Sequence, residues 1–88
     1  MAKIIADKSS MQWKDLGHDC HRLHLGGVMF VYVKKTSISG KDAWELSFEG
    51  MNDIIADISE AAAKQRALQL AETYLLAALG RVALAKER

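Results

Sequence analysis

Apolar and polar positions alternate most clearly over AWELSFEG, Ala43 to Gly50, where Trp44, Leu46 and Phe48 alternate with Glu45, Ser47 and Glu49. A period of two predicts a half-buried strand. VMFVYVKK, Val28 to Lys35, is β-branched and aromatic and predicts a second strand. Between them TSISGKD, Thr36 to Asp42, reads as a loop around Gly40, too long for a tight two-residue hairpin, closing an antiparallel pair. Upstream, Cys20 to Leu25 alternates as well, with Leu23 and Leu25 on one face, and Gly26-Gly27 provides a tight connection into the next strand.

After Gly50 the period changes. Asp57-Ile58-Ser59-Glu60 places an acid at a helix N-cap with a glutamate three residues on, a reciprocal capping pattern. The following residues, without proline and with only Gly80 as a glycine, predict one helix from Ile58 to about Ala85, roughly 42 Å long at about 1.5 Å per residue. Strands of about seven residues span roughly 23 Å, so the helix should overhang the sheet. In its first half Ala61, Leu68, Ala71 and Leu75 make one apolar stripe opposite Gln65, Arg66, Gln69, Glu72 and Thr73. In its second half, apolar residues from Tyr74 to Leu84 surround the axis, more than a small sheet can cover.

The predicted fold is therefore α+β: an antiparallel β-meander of three or four strands packed on one long C-terminal helix. It forms a single domain over 1–88, with a flexible N-terminus at 1–12, the meander at 13–56 and the helix at 57–86. A chain of 88 residues, half of them apolar, supports one core and hides only roughly 60–65% of its unfolded surface. That shortfall predicts a homodimer through Tyr74, Leu76, Ala77, Leu79, Gly80, Val82 and Leu84, with Ala77, Ala78 and Gly80 allowing close approach. The alternative is a helix that bends at Gly80 and folds back on its own sheet.

Twelve Lys and Arg against eleven Asp and Glu give a net charge of +1, which argues against both a strongly basic nucleic-acid clamp and an acidic DNA mimic. The single Cys20 cannot form an internal disulfide, and MAKIIADKSS lacks the apolar run of a signal peptide, so the expected compartment is the cytoplasm. The longest uninterrupted apolar runs, Val28–Val33 and Tyr74–Leu79, are six residues each, against about 20 for a membrane span, and predict a soluble chain.

The segment GHDCHRLHL gathers His18, Cys20, His21 and His24 in the manner of a metal site. On a strand, however, His18, Cys20 and His24 take one face and His21 the other, and four residues span about 13 Å, beyond the reach of one ion. The expectation is no metal and no cofactor. Asp19, Cys20 and His21 are consecutive, so a strand sends neighbours to opposite faces rather than into a catalytic arrangement, and no catalytic residue is assigned. His18, Cys20, Arg22 and His24 instead become candidates for a partner-binding face, together with Lys34, Lys35 and Lys41 at the ends of the central hairpin.

Two family-level resemblances follow. Trp13, the Gly-Gly turn, the β run, Trp44 and then Asp57-Ile58-Ser59-Glu60-Ala61 opening an alanine-rich helix resemble a group of small phage and prophage proteins, over about Trp13 to Tyr74. That resemblance implies an anti-CRISPR-like counter-defence inhibitor or accessory protein that binds a host protein complex, in the host cytoplasm, without catalysis. The chain departs from the layout in its extra C-terminal apolar turns and its histidine-rich first strand, and no residue role carries over. A meander followed by a helix also resembles part of the double-stranded-RNA-binding fold, with Lys34, Lys35, Lys41, Lys64 and Arg66 as phosphate contacts. Here the first helix of that fold is missing, and Asp57 and Glu60 stand where phosphate would need positive charge.

Overall fold

The computed structural model describes residues 12–87. The expectation of a flexible segment over 1–12 falls almost wholly outside them. Five strands, β1 (Lys14–Gly17), β2 (Cys20–Gly26), β3 (Met29–Ile38), β4 (Lys41–Phe48) and β5 (Met51–Ala56), precede one helix, α1 (Glu60–Lys86). They form one open antiparallel sheet in chain order, β1-β2-β3-β4-β5. The α+β class and the meander hold, but the sheet has five strands where three or four were expected.

Turn chemistry accounts for much of that difference. Ser39 and Gly40 have φ of 51° and 80°, and Glu49 and Gly50 have φ of 50° and 82°. Both central residues at positive φ is the signature of a type I′ turn, whose twist matches that of the strands it joins. Thr36 to Asp42 is therefore not a long loop: β3 and β4 stay paired to Ile38 and Lys41, and only Ser39-Gly40 turns. The Glu49-Gly50 turn folds Met51–Ala56 back onto β4 despite the poor strand formers Asn52 and Asp53. His18 and Asp19, φ 54° and 55°, join β1 to β2 in the same way.

One face of the sheet carries the core. Leu23, Val31, Val33, Trp44, Leu46 and Phe48 pack on Ala63, Ala67 and Ala71 of α1. Buried stripe residues on the helix are thus alanines four apart, while Ala61 and Leu75 of the expected stripe are exposed. Large sheet side chains against small helix side chains bring the helix axis close to the sheet and leave no gap between them. Tyr74 ends this packing, edge-on to Phe48 with ring centroids 5.3 Å apart.

The helix starts later than its sequence pattern indicates. Ser59, not Asp57, is the N-cap: its Oγ accepts the Ala62 N–H at 3.1 Å, and Asp57 sits at φ 59° in the connection from β5. Past Ala71 no described helix residue is buried, so the last turns project beyond the sheet. The helix runs unbroken through Gly80 to Lys86 and does not fold back. By length and composition it is also apolar enough to cross a membrane, with a mean hydropathy of 1.2 over its most apolar 18 residues, of which 11% are buried. Run lengths miss this because Gly80 and Arg81 interrupt the aliphatic residues without lowering the average far.

Candidate functional site

Strand register decides which of the candidate side chains meet. One row crosses all five strands on the face away from the helix: Lys14, Arg22, Tyr32, Ser47 and Asn52. A second row holds Cys20, Lys34, Glu45 and Ile54, and a third begins with His24 and Phe30. Among the described residues no element covers this face.

Its centre is a stacked group. The His24 ring lies on Phe30 with centroids 4.7 Å apart and planes at 23°, and the Arg22 guanidinium carbon sits 4.6 Å from the Phe30 centroid. Tyr32 adjoins Phe30 at 6.2 Å. His24 Nε2 donates to the Gly27 carbonyl at 2.9 Å, which fixes the ring against the β2–β3 turn. Cation–π and ring stacking hold these side chains in place before any partner arrives, which lowers the entropy lost on binding. Beside them Val28 is 87% exposed, and two strands away on β5 Ile54 is 46% exposed. A shallow depression of about 330 Å³ runs from Val28, Phe30 and Tyr32 to Glu49 and Asn52.

The expected residues are only partly united. Cys20, Arg22, His24 and Lys34 share this face. His18 does not, because it belongs to the β1–β2 turn rather than to a strand face. Lys35 pairs with Trp44 and so points to the helix side, and Lys41 lies at the far end of the hairpin, 3.8 Å from Asp57. Phe30 and Tyr32 were not singled out by sequence, although their even spacing with Lys34 along β3 would have placed them on the face opposite Val31 and Val33.

On the helix side His21 meets charge. Its Nε2 is 3.3 Å from Glu60 Oε1, and Glu60 Oε2 accepts from Lys64 Nζ at 2.9 Å. Lys64 in turn lies 5.5 Å from the centroid of the Trp13 ring. The hydrogen bond from Lys64, reinforced by the charges of His21 and Lys64, holds the Glu60 carboxyl below its ordinary value. No nucleophile adjoins this group, and its place is at the start of the helix, where an acid also complements the helix dipole. Among the described residues no set of three or more His, Cys, Asp or Glu converges to hold a metal ion.

Comparison with protein-family models, with curated proteins and with solved structures finds no match for this chain.

Proposed function

We propose that this chain is a non-catalytic binding module that presents the open face of its sheet to a protein partner. The observation that carries the reading is the uncovered, pre-stacked group of Arg22, His24, Phe30 and Tyr32. Arginine and aromatic side chains are the ones enriched at the energetic centres of protein interfaces, and here exposed Val28 extends them into a mixed apolar and polar patch.

The nucleic-acid alternative has less support, because its lysines do not converge. Lys34 stands opposite Glu45 in register, Lys35 faces the other side, Lys41 neighbours Asp57 and Lys64 is held by Glu60. A phosphate-binding stripe needs cations in one line without acids beside them.

In the narrower form of the proposal the partner is a host protein complex and the chain a phage-type, anti-CRISPR-like inhibitor acting in the cytoplasm. That form rests on the resemblance of the Trp13 to Tyr74 pattern. It predicts that expression in a bacterium with an active RNA-guided defence raises phage plating, and unchanged plating removes the narrower form alone.

The binding module itself is tested by affinity capture from an extract of the expressing cell, comparing wild type with Phe30→Ala/Tyr32→Ala. The expected result is a protein retained by wild type, lost with the double variant and still held after nuclease treatment and in high salt. Binding to a labelled single- or double-stranded oligonucleotide that falls steeply with salt, and that Lys34→Glu/Lys35→Glu abolishes, would favour the alternative instead.

A further inference from the structure

The projecting half of α1 is unused by the sheet-face reading, and its chemistry specifies what covers it. Leu75, Leu76, Leu79 and Val82 are 38%, 62%, 65% and 50% exposed. With Leu25 of β2 and Leu68, the three leucines line an apolar cleft of about 290 Å³ in which Glu72 is the one charged residue. Leu68, Glu72, Leu75, Leu79, Val82 and Lys86 follow the alternating steps of four and three that mark the seam of a helix pair. At about 100° per residue they occupy one sector of the helix, beside the alanine stripe that packs on the sheet.

We infer that a second copy of this chain covers the projecting half of α1, its helix antiparallel to the first, with the two-fold axis at Leu79. Glu72 and Lys86 lie seven residues to either side of Leu79. An antiparallel pair therefore sets Glu72 of each protomer against Lys86 of the other, at both ends of the seam, with Leu75 beside Val82 and Leu79 against itself between them. A parallel pair would set Glu72 against Glu72 and Lys86 against Lys86. Of the seven residues that sequence alone offered for such an interface, Leu76, Leu79 and Val82 lie on or beside the seam, whereas Tyr74 is already engaged with Phe48. This inference does not depend on the sheet face, which lies on the opposite side of the sheet from the helix.

Light scattering behind size exclusion, with sedimentation, on the full chain from ~1 to ~200 µM tests it. The expected result is a mass of two chains at the upper end that dissociates on dilution. Glu72→Lys and Lys86→Glu, both at exposed positions, should each weaken association on the order of tenfold while circular dichroism reports an intact helix, and the two together should restore it. A monomer at ~200 µM would overturn the inference. So would single variants that associate like wild type, which a parallel pair predicts. A monomer that co-sediments with neutral phosphatidylcholine vesicles would assign the seam to lipid, and dimerisation that appears only after deletion of residues 2–11 would assign it to that segment; either result overturns the second copy.

Discussion

Phe30 and Val31 are neighbours with opposite tasks, and the contrast shows how one side chain's direction fixes its role. Val31 is fully buried under the helix, while Phe30 stands on the open face between His24 and Arg22. Replacing Phe30 by alanine should cost little stability and much of the binding, whereas Leu46→Ala, which empties a site 1% exposed, should cost about 2–5 kcal/mol in chemical denaturation. Glu60 gives a pH prediction of definite sign. Its carboxyl is held below the ordinary value in the folded chain, so its contribution to stability is complete above the usual carboxylate range and is lost as pH falls through the lowered value. Urea titrations of Glu60→Gln should show a flatter acid limb than wild type and no gain in stability at neutral pH. The histidine-rich segment was legible at this scale as far as Cys20 and His24 sharing a face. His18 was not, since a strand was assumed where His18 and Asp19 make a turn at positive φ.

Elements read from alternation were the ones whose two faces differ in chemistry. β2, β3 and β4 each have one face in the core; β2 and β4 were visible as period-two patterns, and β3 by its β-branched and aromatic content. β1 is four residues long and exposed throughout, and β5 begins Met51-Asn52-Asp53, so neither shows a buried face. What makes β5 a strand is the Glu49-Gly50 turn before it, a tertiary instruction carried by two residues rather than by a pattern. Glu49→Gly should therefore be tolerated or mildly stabilising, because glycine adopts a φ of 50° without the penalty that a side chain brings, while Glu49→Val should destabilise; thermal melts distinguish the two. The start of the helix was misplaced by two residues because Asp57 and Ser59 are both good caps. Only Ser59 has its oxygen within reach of an orphan N–H. Ser59→Ala should cost about 1 kcal/mol by denaturant titration, and Asp57→Gly, which a φ of 59° accommodates, markedly less.

At the scale of the molecule the sheet has two faces and the helix only one use for each of its halves. The first half of α1 closes the core through alanines, the second half projects as an apolar rod, and among the described residues no element covers the far side of the sheet. The overhang was legible from the arithmetic of helix and strand lengths. The binding group was not, because stacking among Arg22, His24 and Phe30 depends on the register of β2 against β3, which no local pattern encodes. In the proposed arrangement the two surfaces gain burial from partners, one face meeting a different protein and the helix meeting a copy of itself. Side-chain oxidation footprinting tests the first of these most directly. The free chain and the complex captured from extract are labelled in parallel, and the yields at Phe30 and Tyr32 are compared. The account predicts that both rings label in the free chain and are protected in the complex; labelling of both rings at the same rate in the complex as in the free chain would contradict it.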